Sequence, residues 1–286
     1  MKSVRYLLLL ATLATLTACL GNRESFNQKI EVPDFNFPNT VIFEQKLSTY
    51  GIFEGTPSDL TPTSDFHLLE LSSTLFSDYS YKQRLVKVPE GKSMTRVNDG
   101  LPTFPNGTIL AKTFLYYNDE RNKSLGKRVI ETRLLIKEHD TWNASTYVWN
   151  ESQTDATLLL DGLNTQVSWI NDNGKPLATA YHVPDENECI ACHQLNSALT
   201  PLGPTLRNLN RIVERSGEDL NQVSHLQSAG VLNDFQVDSV SKMADYSSLT
   251  ESLSDRGRAY LAMNCAHCHR SGAWEPATER DFDFRY

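Results

Sequence analysis

The chain has 286 residues, 40% of them hydrophobic and 22% charged, with a formal net charge of −8. That length allows two domains, and the composition excludes a collagenous, wholly disordered or multiply membrane-spanning protein. The acidic balance offers no basic patch that could release counterions from nucleic acid, so nucleic acid is excluded as a partner class.

Lys2 and Arg5 precede an apolar run, Tyr6 to Leu16, which is too short to span a bilayer and has the layout of a secretory signal. It ends in Leu16-Thr17-Ala18-Cys19, which resembles the lipobox of bacterial lipoproteins. That resemblance implies a signal peptide over 1–18 and lipidation of Cys19 with several acyl chains, enough to anchor the protein to a membrane without spanning it. Leu20 after the cysteine resembles an outer-membrane sorting signal, so the expected location is the periplasmic side of that membrane or the cell surface. A plain signal peptide with an incidental cysteine is the alternative.

Residues 19–63 read as lipid anchor and tether, because the stretch from Glu31 to Thr63 is rich in Pro, Asn, Thr and Ser and has little periodicity. Between Phe66 and His182, β-branched and aromatic runs alternate with turn residues. The runs are Thr108 to Tyr117, Arg128 to Lys137, Ser145 to Trp149 and Gln166 to Ile170, with Asn106-Gly107 and Asn173-Gly174 as turn signals. The pattern predicts an antiparallel sheet with Trp142, Trp149 and Trp169 in its core. His67 and His139 are isolated and read as ordinary packed or surface histidines, and no catalytic constellation stands out.

After Pro184 the apolar period changes to about four. Leu206, Leu209, Ile212 and Val213 form one helical stripe ending before Gly217, and Leu220, Val223 and Leu226 form another that stops near Gly230. A third helix is predicted from Ser252, whose spacing to Asp255 resembles a capping box. Leu253, Gly257, Leu261 and Cys265 follow on one face, and Gly257 suits a close helix crossing.

Every cysteine except Cys19 sits in a C-x-x-C-H motif: Cys189, Cys192 and His193 in the first, Cys265, Cys268 and His269 in the second. Thiols three residues apart lie on one helical turn and can each add across a vinyl group of one porphyrin. The histidine four residues after the first thiol shares that face and reaches the iron as proximal ligand. Disulfides, a redox-active C-x-x-C pair and a zinc ion held by four thiolates are rival uses of such cysteines, but none needs the histidine.

Gly257 and Leu261 ahead of Cys265 resemble the N-terminal helix of class I cytochromes c. More broadly, the chain resembles a family of bacterial diheme c-type cytochromes, often lipoproteins, from about Leu47 onward. The matching stretches include LFSDYSYKQRLVKVPEG from Leu75, FPNGTILAKTF from Phe104, ETRLLI from Glu131, TYVWNESQTDATLL from Thr146, CIACHQLNSALTPLGPTLRNLNR from Cys189 and RAYLAMNCAHCH from Arg258. The resemblance implies two covalently bound haem c groups. It implies an α+β chain: an N-terminal antiparallel β-rich domain over 64–183, then an α-helical diheme cytochrome c-like domain over 184–286. Members of that family continue past a segment like DFDFR into a stretch where a distal methionine is expected, whereas Tyr286 follows His269 closely here. The second haem unit is therefore expected to be incomplete, with an open or weakly held sixth position.

For the first haem, Met243 follows His193 at a spacing like that between axial ligands in class I cytochromes, which makes it the tentative distal ligand; His182 and His225 are the competitors. Met263 reads as core, and His267 is tied into its own attachment loop. Pro201 and Pro204 are candidates for the backbone carbonyl that accepts the His193 Nδ1 proton, since axial histidines need such orientation. The expected function is electron transfer between redox partner proteins. A diheme peroxidase-like enzyme, or a β-domain binding module with accessory haems, is the alternative.

Overall fold

The structure is a computed structural model, and it describes residues 40–273 and 283–284. The signal segment, Cys19 and most of the run after Ala273 lie outside the described residues. Strands β1 (His67–Leu68), β2 (Tyr81–Lys87), β3 (Ile109–Tyr117), β4 (Lys127–Glu138), β5 (Thr141–Trp149) and β6 (Ala156–Leu159) form one antiparallel sheet in chain order. The β4–β5 turn shows why neighbours in sequence pair: His139 and Asp140 both have positive φ, 48° and 61°. That left-handed pair matches the twist of the strands it joins. β7 (Leu163–Ile170) and β8 (Pro176–Val183) form a separate hairpin, closed by a turn containing Asn173-Gly174.

Side chains alternate across the sheet, and each face has its own core. Leu85, Ala111, Leu134, Ile136, Tyr147 and Trp149 lie on one face. The stretch read as a tether contributes Leu47, Ile52 and Leu60 to that same cluster. On the opposite face Val86, Trp142 and Ala144 pack against Ile190, Leu199, Leu206, Leu209, Val223 and Leu226 from the C-terminal third. A third cluster joins Phe114, Tyr116 and Ile130 to Val167, Trp169, Tyr181 and Val183 of the β7–β8 hairpin. The three tryptophans read as core are buried, one in each cluster.

The expected α+β architecture with a helical cytochrome c-like domain is overturned. Among the described residues strand outweighs helix, 33% against 19%, and no helical cytochrome domain is evident. From residue 184 onward the helices are short: α1 (Glu186–His193), α2 (Leu206–Leu209), α3 (Gln222–Ser228) and α4 (Leu253–Asn264). Between them lie two small ladders, β9 (Gln194–Leu195) with β10 (Ala198–Leu199), and β11 (Ile212–Arg215) with β12 (Glu218–Asn221).

The misreading has a local cause. The stripe Leu206, Leu209, Ile212, Val213 fits a helix, yet its last two residues begin β11, where Val213 is buried and Ile212 exposed. Ser216 and Gly217, with φ of 54° and 85°, close the β11–β12 turn as a left-handed pair. A helix would have needed Ser216 in the right-handed region.

The α4 expectation fails differently. The helix forms, capped by Ser252 Oγ, which accepts from Asp255 N at 3.1 Å. The face on which it packs is not Leu253, Gly257 and Leu261. Leu253 is 81% exposed and a Cβ at Gly257 would meet nothing within 4 Å. Ala259 instead turns inward, with Ala262 and Met263, onto Met243, Ala244 and Tyr246.

Candidate functional site

The first motif is built by α1. Asp185 accepts from Glu188 N at 2.9 Å, and Glu188 Oε2 accepts from Asp185 N at 3.0 Å, a reciprocal cap that satisfies two otherwise unpaired donors. Ile190 is buried in the core shared with the sheet and holds the helix there. Cys189 and His193, one turn apart, line a cleft between α1, the sheet and the loop carrying Pro201, Leu202 and Pro204.

The short ladder after α1 decides the state of His193. Asn196 and Ser197, with φ of 50° and 60°, form a tight turn that brings Thr200 back beside His193. Thr200 N donates to His193 O at 2.8 Å, and His193 Nδ1 donates to Thr200 O at 2.9 Å. Thr200, not Pro201 or Pro204, therefore supplies the orienting carbonyl, and the two prolines line the cleft. Burial pushes the His193 imidazole down to about 4, with the nearby charges of Lys112 and Arg133 acting the same way. The ring is neutral at physiological pH, with Nε2 as its free lone pair.

The second motif begins where α4 ends. Cys265 has left the helix, with φ of −125° and ψ of −37°, and the following residues turn back so that His269 N donates to Cys265 O at 2.8 Å. The Phe284 ring lies edge-on to His269 at 5.5 Å. His269 Nδ1 is buried without a hydrogen-bond partner among the described residues, so nothing comparable to Thr200 orients it.

The two motifs touch. Cys192, His267 and Cys268 place their ligand atoms within 4.8 Å of one another. Hydrogen bonds from Cys268 and His267 hold the Cys192 thiol well below its usual range, and the Cys268 thiol moves the opposite way because it is the donor. Cys189 differs: burial pushes its thiol up to about 11. The four cysteines among the described residues are free thiols.

The tentative distal residues are dispersed. Met243 is buried against Ala244 and Ala259 and lines a second cleft with Met263, Ala266 and His267, not the cleft at His193. His182 is 45% exposed, with Nε2 2.7 Å from Glu188 Oε2 and Nδ1 2.8 Å from Asn164 Oδ1, so both nitrogens are engaged. His225 is partly exposed on α3 and lies near His67.

Sequence reasoning missed one set of residues. Arg84, Lys112 and Arg133 line the cleft beside Cys189 and His193. The signal was present in the alternation, since Arg84 precedes Val86 and Lys112 falls between Leu110 and Phe114 on an inward-facing strand side, where a charge is out of place.

Comparison with protein-family profiles, characterised proteins and solved structures returns no match to this chain. Among the described residues no helix is long and apolar enough to cross a membrane.

Proposed function

We propose that the chain is a membrane-anchored diheme c-type cytochrome that passes electrons between redox partner proteins on the periplasmic side. The observation that carries this reading is His193: neutral, its Nδ1 held by the Thr200 carbonyl, and lining one cleft with Cys189. An axial histidine needs that tautomer and that second hydrogen bond. The donor set fits the cofactor: Cys189 and Cys192 for the first porphyrin with His193 as proximal ligand, and Cys265 and Cys268 with His269 for the second. When bound, haem supplies one-electron cycling between ferric and ferrous iron. The chain's part is to hold the histidines, exclude water from the cleft and set the local charge. An acidic chain at −8 suits partners with basic docking patches.

A second reading draws on the meeting of the motifs. Cys192, His267 and Cys268 offer three soft or borderline donors in one place, a set suited to zinc with one further ligand. Even with one of them as the fourth ligand, it leaves three of Cys189, His193, Cys265 and His269 without a role, which is why the haem reading ranks first.

Export from a host competent for c-type maturation, followed by a pyridine haemochrome assay and intact mass, separates the two. Two haems per chain with a c-type spectrum support the proposal. Stoichiometric zinc, or a Cys192–Cys268 disulfide, in a haem-free chain overturns it.

A further inference from the structure

The β-sheet has no part in the haem reading as it stands, yet it presents a charged row to the same cleft. In the register of the sheet Arg84 pairs with Lys112, and Lys112 pairs with Arg133. Directly paired residues on adjacent strands point to the same face, so the three cations form one line across β2, β3 and β4. All three line the cleft that holds Cys189 and His193.

The charges in this row do not balance. Arg133 is paired: its Nε and Nη2 donate to Glu131 at 2.8 and 2.5 Å, and Glu131 is fully buried. Lys112 rests its ammonium 4.7 Å from the Phe114 ring centroid, a ring that also carries Arg133 at 4.3 Å. Neither Lys112 nor Arg84 has an ion pair or a side-chain hydrogen bond among the described residues. Both are partly buried in the cleft wall, and that burial lowers Lys112 well below its usual value and Arg84 to about 10, with Glu131 opposing the shift at Lys112. Two partly buried basic groups without an ion-pair partner are poorly compensated, and a pair of carboxylates in the cleft would offset them and hold the Lys112 amine in its charged form.

The geometry points to Arg84, Lys112 and Arg133 as a carboxylate-binding row that seats the two propionates of the porphyrin attached through Cys189. This inference rests on the haem reading and extends it, because it makes the β-sheet one wall of the first cofactor site. Arg84 and Lys112 supply the two basic groups without an ion-pair partner, Lys112 taking its charge when a carboxylate binds, while Arg133, already paired with Glu131, fixes the end of the row. The shared chemistry is a dicarboxylate, and a free small dicarboxylate is the other source of it.

The test compares the exported wild-type chain with the double variant Arg84→Gln/Lys112→Met and the conservative variant Arg84→Lys. Haem stoichiometry is read by haemochrome and mass, and the midpoint potentials by spectroelectrochemistry. Removing positive charge beside an iron favours its ferric state. The expected result is two haems in every protein, with one of the two potentials lowered in the double variant, the other unmoved, and Arg84→Lys close to wild type. Two haems with both potentials unchanged in the double variant overturn the row and leave the haem reading standing. A wild-type chain without haem overturns the haem reading and the porphyrin as occupant. In that case succinate is added to the haem-free wild type and double variant. A melting temperature raised only in the wild type supports the row with a free dicarboxylate as its ligand, and no rise overturns it.

Discussion

The two C-x-x-C-H motifs have the same spacing but different surroundings. The first lies on a capped helix pinned by Ile190, its histidine is oriented by Thr200, and a sheet bearing three cations faces it. The second lies past the end of α4, its histidine lacks an orienting acceptor among the described residues, and the helix before it shows an exposed Leu253 and an open Gly257. Identical five-residue chemistry is thus embedded in a tertiary core at one end and carried by local turns at the other. The contrast teaches that a motif specifies its ligands, whereas the polar partner comes from the turn that follows it and the packing behind it from distant segments.

The sharpest way to break this contrast is to damage each support in turn. Glu131→Ala leaves the Arg133 guanidinium without its buried partner and is expected to cost about 3–5 kcal/mol, read as a lowered urea midpoint. Hydrogen exchange of residues 186–193 should rise with it, while that of residues 253–264 should change little. Leu206→Ala empties a fully buried position in the core beneath the first motif and is expected to cost about 2–5 kcal/mol. Leu253→Ala on α4 should stay within about 0.5 kcal/mol in the same urea titration, because that side chain faces solvent. Equal losses at Leu206 and Leu253 would remove the distinction between the two settings.

A pH series sharpens the comparison on the sheet side. Burial lowers Lys82, which donates to Leu75 O at 3.1 Å, from 10.5 to about 8. The unfolded chain therefore binds its proton more tightly than the folded one. The penalty is full below about pH 8 and disappears as pH rises towards 10.5, and stability climbs across that window by up to about 3 kcal/mol from this group. Lys82→Met should flatten that part of the stability–pH curve measured by urea denaturation.

The smallest effects come from the caps. Asp185→Ala and Ser252→Ala each remove a helix N-cap and should cost about 1 kcal/mol. The readouts should separate: loss of Asp185 is expected to raise exchange in residues 186–193, and loss of Ser252 in residues 253–264, with no crossover.

Much of the sheet was legible because its strands are β-branched and aromatic runs bounded by turn residues. The runs read from Thr108 and Arg128 match β3 and β4 to within a residue at each end, and the run from Ser145 covers only the second half of β5, whose start at Thr141 was not read. The 206–221 stretch was not legible, because Ile212 and Val213 fit a period of four as well as they fit a strand, and the Ser216-Gly217 turn decided between them. α4 was placed correctly and its buried face was not. Helical spacing names candidate faces, but only the neighbours at Met243 and Ala244 select Ala259 as the inward residue.

What the sequence determined by itself is the donor inventory: four thiols and two histidines at spacings that one helical turn imposes, ahead of any fold. What only the tertiary structure decided is their environment. The Thr200 carbonyl reaches His193 through a left-handed turn, Cys192 meets Cys268 across more than seventy intervening residues, and Arg84, Lys112 and Arg133 align through strand pairing. Ligand spacing is a property of the local backbone, legible residue by residue. Orientation depends on the conformation of the turn after the motif, desolvation and charge balance on which distant segments share a core, and no local period records either.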